Sequence, residues 1–208
     1  MSRILFTADQ HLFHKGAILL AKRPFDTIEK MNRHMIECWN AVVRPDDDVY
    51  HLGDISFGRA GETVGILKEL YGTIYLIPGN HDRWLDDYDN ELAGHLNFLP
   101  ALTKLKFNHT SIWLSHYPLR CWEGSFKGAM HLYGHTHGTI ETERLPRSMD
   151  IGVDSVGYYP LYIGDVWAKL DKEPAIPEEA RIRDEEDAKL LTKDWKLWEK
   201  RWRADEQI

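Results

Sequence analysis

The chain has 208 residues, which is enough for one well-packed domain but cramped for two. Its net charge of −7 argues against an extended nucleic-acid-binding surface, because such surfaces normally carry a basic stripe. The two cysteines, Cys38 and Cys121, are far apart in sequence, so neither a disulfide framework nor a thiolate metal site is expected.

In chain order, the first predicted element is a short apolar strand over residues 4–8. It leads to Asp9 and His11, which are two residues apart and are therefore expected to point to the same side. This apolar start does not have the pattern of a signal peptide, and no apolar run approaches membrane-spanning length. We therefore expect a soluble, cytoplasmic protein that does not bind a membrane.

Two helices are predicted in the first half of the chain. Asp26 as N-cap, with Glu29 as its capping-box partner, begins a helix whose apolar positions recur every three to four residues. These positions are Ile28, Met31, Met35, Trp39 and Val42. A second helix is predicted over residues 62–71, ended by Gly72. The acidic run 46–48 before it is expected to be a solvated turn.

The second half of the chain is richer in strands. Residues 102–107 and 112–114 predict a hairpin, and residues 117–129 predict a loop suited to substrate selection. More strands are expected around His131, Thr139 and Ile151. Strand–helix alternation followed by meandering strands predicts an α/β protein in which mixed sheets are flanked by helices.

Five of the predicted strands are each followed by side chains that commonly bind metals. The candidate ligands are Asp9, His11, Asp54, Asn80, His116, His135 and His137. Because the ends of such strands meet at one edge of a sheet, we expect these side chains to converge. His135 and His137 follow a strand at residue 130, and strand alternation would direct both imidazoles to one spot.

These ligands are too many for one ion that must leave room for a substrate. Two ions about 3.5–4 Å apart that share a bridging carboxylate would use them all, and such pairs are known in phosphoryl chemistry. Oxygen and imidazole donors without thiolate suit manganese best, with iron, zinc and nickel as alternatives.

Five motifs in a fixed order carry a family resemblance. They are Asp9-Gln10-His11, Gly53-Asp54, Gly79-Asn80-His81-Asp82, Ser115-His116 and Gly134-His135-Thr136-His137. In this order they resemble the calcineurin-like metallophosphoesterase family, of the small bacterial or phage type. The resemblance implies a four-layer α/β/β/α sandwich with mixed β-sheets over residues 1–170. It also implies a two-metal-dependent hydrolase of phosphate esters.

The resemblance further implies how the ligands are shared between the two ions. One metal would be held by Asp9, His11, Asp54 and His137. The other would be held by Asp54, Asn80, His116 and His135, so that Asp54 is the bridge. His81 would bind no metal and would protonate the leaving oxygen or stabilise the transition state. The implied reaction is in-line attack on phosphorus by a metal-bridging hydroxide, without a covalent enzyme intermediate.

The chain departs from the protein-phosphatase branch of the family. That branch has an Asp and then an Arg beginning three residues after the bridging Asp, where this chain has Phe57 and Gly58. We therefore prefer a phosphodiesterase acting on nucleotides or other small phosphodiesters, with a phosphomonoesterase as the alternative. What orients His81 is left open, because Asp82 is adjacent in sequence but can face elsewhere.

Other polar residues near the motifs are candidate substrate contacts. They are His14, Arg59, Arg83 and Arg120, and the alternative for each is an ordinary surface role. His51 is expected to be a histidine of the core or sheet. The expected partner is a small phosphorylated substrate.

Residues 171–208 predict a charged C-terminal extension that forms an amphipathic helix. Its apolar stripe consists of Leu191, Trp195, Trp198 and Trp202. Docking of this helix on its own domain is expected, and partner binding or self-association is the alternative, which leaves the oligomeric state open. A catalytically silent scaffold that binds partners through this helix is disfavoured, because all the motif residues are present.

Overall fold

Two β-sheets form the centre of the structure, a computed structural model in which residues 2–176 are described. The strands are β1 (Ile4–Thr7), β2 (Asp48–His51), β3 (Thr73–Leu76), β4 (Leu96–Phe98), β5 (Leu102–Phe107), β6 (Thr110–Ser115), β7 (Met130–Tyr133), β8 (Ser148–Asp150) and β9 (Leu161–Tyr162). The helices are α1 (Lys15–Leu20), α2 (Ile28–Val42), α3 (Ala60–Leu67), α4 (Val153–Val156) and α5 (Ile163–Leu170). Short 3₁₀ helices lie at Arg83–Asp87, Ser125–Lys127 and Glu141–Glu143. The predicted C-terminal helix lies outside the described residues.

Both sheets are mixed, as predicted. The first has the order β4-β3-β2-β1-β9, in which β1 to β4 are parallel and β9 is antiparallel to β1. The second has the order β5-β6-β7-β8, in which β5 and β6 form the predicted hairpin and β6 to β8 are parallel. The α/β fold class is confirmed. Within residues 2–176, no helix is long and apolar enough to span a membrane.

The apolar side chains form layers around these sheets. Helices α2 and α3 pack on the first sheet, where Met31, Trp39 and Leu67 are buried against Val49 and Ile74. A second cluster fills the space between the two sheets and includes side chains of α5. A smaller cluster around Trp122, in the loop 117–129, contains Trp113 of β6 and Ile176. The strand ends are therefore held between packed layers, which fixes the loops that follow them.

Three predicted boundaries need correction. Thr27, not Asp26, is the N-cap of α2: its hydroxyl accepts a hydrogen bond from the Lys30 backbone N–H at 3.3 Å, whereas Asp26 pairs with the Lys30 ammonium. Helix α3 begins at Ala60 and ends at Leu67, earlier than predicted. Gly72 has a φ of +85° and lies directly before β3, so it shapes the entry to that strand rather than a helix end.

Two local predictions are wrong. The strand expected at Thr139 is absent from the described structure, because this residue lies in a turn in which its N–H donates to the Thr136 carbonyl. The acidic run is not wholly solvated, since Asp47 is only 1% exposed and pairs with Arg3 at 2.5 Å. Burial alone would raise the pKa of Asp47, but its hydrogen bonds with Arg3 and Arg44 lower that pKa to about 2.

Candidate metal centre

The candidate ligands lie on loops that directly follow strands β1, β2, β3, β6 and β7. The apolar strands are buried between the layers, so the first polar residues after each strand lie at the same edge of the sheets. Loops of the two sheets touch here: the His135 backbone N–H donates to the Asp9 carboxylate at 2.9 Å. The predicted convergence of residues from five strand ends is therefore observed.

Most of these loops have a strained backbone. Positive φ angles occur at Asp9 (60°), His11 (52°), Asp54 (57°), His135 (70°) and His137 (48°). A left-handed conformation at a non-glycine residue costs on the order of 1–3 kcal/mol and persists only where the surroundings enforce it. The strands end before these residues, so strand alternation does not direct their side chains. The expectation that alternation points His135 and His137 to one spot is therefore wrong.

Instead, the donors form two groups. Asp9, His11 and His137 make one group, and Asp54, His116 and His135 make the other. Within each group the potential ligand atoms lie within 4.8 Å of one another.

The Asp54 carboxylate, a member of the second group, also faces the first group. Its Oδ2 is 3.5 Å from Nε2 of His11 and 3.6 Å from Nε2 of His116. The Asn80 Oδ1 atom is 3.0 Å from the same nitrogen of His116, so the amide lies beside the second group. Tyr117, which was not singled out from the sequence, contacts Asn80 with its hydroxyl at 3.2 Å.

The chemistry of these donors fits divalent cations. Nε2 of His11 is buried and has no hydrogen-bond partner among residues 2–176, so a ligated ion would satisfy it. Burial, with the neighbouring His137 and Arg23, lowers the pKa of His11 to about 2, which keeps the ring neutral as a metal ligand must be. Burial and the nearby charges of Asp150 and Asp54 raise the pKa of Asp9 well above its usual range. A bound cation would compensate for that charge.

Asp82 does not orient His81. Its carboxylate is buried and accepts hydrogen bonds from Asp54 N, Gly79 N and Ile55 N at 2.7–2.8 Å, and from the Trp84 indole at 3.1 Å. These bonds tie the loop after β2 to the loop after β3.

The close approach of those two loops also depends on Gly79, where a Cβ would collide with Asp54. The backbone N–H of His81 donates to Asp54 Oδ1 at 2.8 Å, and the His81 ring centroid is 4.6 Å from that of Phe57. The ring of Phe57 therefore packs on the His81 imidazole, and the His11 ring is a second neighbour, with its centroid 5.7 Å from that of His81.

A cleft of about 290 Å³ opens beside the first donor group. Its lining residues are His11, His14, Ala17, Leu20, Ala21, His81, Thr136, His137 and Thr139. His14 thus lines the cleft; its ring stacks on Phe57 with centroids 3.7 Å apart, and its Nδ1 is 3.3 Å from that of His11. Arg59, Arg83 and Arg120 are exposed and lie outside this lining.

Residues 2–162 match the sequence model described as calcineurin-like phosphoesterase. The chain belongs to the calcineurin-like phosphoesterase family. With its two donor groups, it is therefore a metal-dependent phosphoesterase.

Relatives of this phosphoesterase are similar along most of their length. An uncharacterised protein of Methanocaldococcus jannaschii is 30% identical over 179 residues, which cover 82% of this chain and 92% of that protein. The Gene 66 protein of Mycobacterium phage D29 is 30% identical over 181 residues, covering 74% and 89%. The crystal structure of a protein of unknown function from Aquifex aeolicus has a TM-score of 0.65 at 22% identity, covering 82% of this chain and all (100%) of that one. This last likeness supports the fold alone.

The phosphoesterase site also contains charged residues that the sequence did not single out. Asp154, four residues after Asp150, accepts a hydrogen bond from His137 Nδ1 at 2.6 Å and pairs with the buried Arg23. Asp150 accepts from the Thr136 hydroxyl and from Gly138 N. Asp150 is the last residue of β8 and Asp154 lies in α4 directly after it, so the polar residues at this strand end also point to the site. Nothing in the sequence around Arg23 indicates its burial.

Proposed function

We propose that this phosphoesterase is a two-metal phosphodiesterase that acts on nucleotides or other small phosphodiesters. The observation that carries the proposal is the position of Asp54 Oδ2, 3.5 and 3.6 Å from one histidine of each donor group. Manganese is the preferred metal, with iron, zinc and nickel as alternatives, because the donors are oxygen and imidazole.

The proposed ligand sets follow the two donor groups. Asp9, His11, Asp54 and His137 would hold one ion, and Asp54, Asn80, His116 and His135 would hold the other. In support, Asp54 lies beside both groups and Asn80 lies beside His116. When bound, two divalent cations stabilise charge on phosphoryl oxygens and lower the pKa of water so that it can act as a nucleophile near neutral pH.

His81 is proposed to protonate the leaving oxygen. It lines the cleft with His11 and His137, so its imidazole reaches the space beside the metal centre. Its backbone is tied to Asp54 and its ring packs on Phe57, which holds it beside that space. A positioned general acid contributes about 10²–10⁴-fold to the rate, and most when the leaving group is a poor one.

Preference for a diester is supported by what surrounds the site. Phe57 stands where the phosphatase branch has an Asp, and its ring packs between His14 and His81. A monoester carries one more negative charge than a diester near neutral pH. Of the nine described residues that line the cleft, none is Lys or Arg, so none offers a fixed positive charge to that extra oxygen.

The experiment compares matched nitrophenyl substrates under each candidate metal. We expect kcat/KM to be higher for bis(p-nitrophenyl) phosphate than for p-nitrophenyl phosphate, with Mn²⁺ giving the fastest turnover. A clear preference for the monoester under every active metal would contradict the diester assignment.

A histidine variant tests the role of His81. His81→Ala should keep its metal ions, lose a large factor on a diester with a ribose leaving group, and lose less on the nitrophenyl ester. His109→Ala, in the turn between β5 and β6, is the matched control and should behave as the unmodified protein. Loss of an ion in His81→Ala would instead make His81 a ligand.

A further inference from the structure

The lining of the cleft beside the metal centre contains two chemically different walls besides its four histidines. Ala17, Leu20 and Ala21, from α1 and the residue after it, are the apolar wall. The Leu20 side chain is 83% exposed, so most of its surface is free to be buried by a ligand. Thr136 and Thr139 are the hydroxyl-bearing wall. None of the nine described lining residues is Lys, Arg, Asp or Glu, so apart from its histidines the cleft offers no charged side chain to a charged substituent.

The two threonine hydroxyls have already donated their protons. Thr136 Oγ1 donates to Asp150 Oδ2 at 2.5 Å, and Thr139 Oγ1 donates to the Thr136 carbonyl at 2.7 Å. A hydroxyl has one proton and two lone pairs, so both oxygens can only accept a further hydrogen bond. A ligand that matches this wall carries O–H or N–H donors.

We propose that the alcohol that leaves phosphorus lies in this cleft and is neutral, with an apolar face on Leu20 and hydrogen-bond donors toward the threonines. A nucleoside or an aryl alcohol that carries such donors has these properties, and an alcohol that carries a second phosphate does not. His81 directs this assignment, because the group that receives its proton must lie on the same side of phosphorus as its ring. The inference rests on the proposed phosphodiesterase function.

Two methyl diesters test whether the leaving alcohol lies in this cleft and must be neutral. One is benzyl methyl phosphate, and the other carries an added phosphonate on the benzyl ring. We expect the release of benzyl alcohol rather than methanol, and a kcat/KM at least ~10-fold lower for the phosphonate analogue, since even one mismatched methylene in an apolar pocket costs roughly 10–200-fold. Methanol release, or equal kcat/KM for both esters, would overturn the cleft assignment. Hydrolysis of neither ester under any metal would reject the proposed function itself and the cleft assignment with it.

Adjacent leucines provide a matched pair of variants. Leu20→Asp should lower kcat/KM on benzyl methyl phosphate by ~10-fold, because a charge replaces the apolar wall. Leu19, 73% exposed but outside the cleft lining, is the control, and Leu19→Asp should stay within ~2-fold. Equal effects of the two variants would contradict the proposal.

A second, independent observation is the burial of Arg23, whose side chain is 0% exposed. Its Nε and Nη2 each lie 2.8 Å from an oxygen of Asp154, a two-point ion pair. Its Nη2 also donates to the Asp9 carbonyl, and its Nη1 to the Gln10 carbonyl, both at 2.7 Å. The guanidinium therefore fixes the backbone of the loop that carries Asp9 and His11.

Asp154 also connects this ion pair to the loop that carries His137. Its Oδ2 accepts a hydrogen bond from His137 Nδ1 at 2.6 Å, which leaves Nε2 of His137 unprotonated and available to a metal. A carboxylate in this position orients an imidazole ligand and raises its basicity. The charge of Arg23 balances that of Asp154, so the site gains this orientation without an additional net negative charge.

We infer that Arg23 and Asp154 are positioning residues for the ion of the Asp9, His11 and His137 group, and that they set its affinity but not that of the second ion. Asp154→Asn should weaken one of the two ions by about 10–100-fold, the range typical for such supporting residues. Elemental analysis after equilibration with buffered free Mn²⁺ gives the stoichiometry. Loss of magnetic coupling between paired Mn²⁺ ions in electron paramagnetic resonance reports the same change without any activity.

Asp47→Asn is the control, because the Asp47 carboxylate is also little exposed, 1% against 8% for Asp154, and pairs with an arginine at the opposite end of β2 from the ligand loop. It should lose stability and keep both ions. If Asp154→Asn does not fold, Arg23→Lys keeps a cation and should show the same selective loss. Unchanged metal affinity, equal weakening of both ions, or the same loss in the control would overturn the inference.

Discussion

Replacing Asp82 by Asn should destabilise the protein through the metal-binding loops rather than through His81. Asp82 is 5% exposed, and its two oxygens accept four hydrogen bonds, from Asp54 N, Gly79 N, Ile55 N and Trp84 Nε1. The Asn side chain keeps one oxygen that accepts hydrogen bonds. Its NH₂ group would face the two N–H groups that donate to the second carboxylate oxygen of Asp82. Losing two bonds to a charged acceptor, at about 1.5–3 kcal/mol each, lowers the free energy of unfolding by about 3–6 kcal/mol.

Urea unfolding of the metal-free protein measures this change without the stabilisation that bound ions would add. Asp86→Asn is the control, because Asp86 is exposed in the 3₁₀ helix that follows, and it should change the free energy of unfolding by less than about 0.5 kcal/mol. If Asp82→Asn unfolds like the unmodified protein but loses turnover, then Asp82 acts on His81 and the loop-bracing account is wrong.

Three more predictions concern the bridge, an ion pair and the C-terminal segment. Asp54→Ala should bind well below two ions per chain, and undiminished metal in elemental analysis would reject the bridge. The pKa of Asp47 is lowered from its usual 3.8 to about 2 by Arg3, so this pair stabilises the fold above about pH 4, and about 2 kcal/mol is lost as the pH falls to 2. Asp47→Asn should flatten that pH dependence in urea unfolding. Removing residues 177–208 should spare metal content and turnover, because the donor groups and the cleft are built from residues between 9 and 139; loss of metal would show that the segment supports the site.

Much of the site could be predicted because each ligand follows an apolar strand. Burial of β1, β2, β3, β6 and β7 forces their ends to one edge, and the polar residue after each strand is visible in the sequence. The sequence pattern could not predict the backbone conformation of those loops. His135 and His137 adopt positive φ angles enforced by tertiary contacts, such as the bond from His135 N to Asp9.

Long-range polar pairs were the least predictable part. Arg23 and Asp154 are 131 residues apart, and no local pattern links them. The burial of Asp47 was unpredictable for the same reason, because its partner Arg3 is 44 residues away in sequence. Helix boundaries shifted for a local reason: Arg59 N donates to the Glu62 side chain at 2.9 Å, which begins α3 earlier than its apolar pattern indicates.

We propose that phosphodiester hydrolysis by this protein requires two ions held around Asp54. The most direct test is to titrate the metal-free protein with Mn²⁺ while following hydrolysis of bis(p-nitrophenyl) phosphate and counting bound ions. We predict no turnover without metal, and a rate that reaches its plateau only when two ions are bound per chain. Full turnover at one bound ion, or without metal, would contradict the two-ion account.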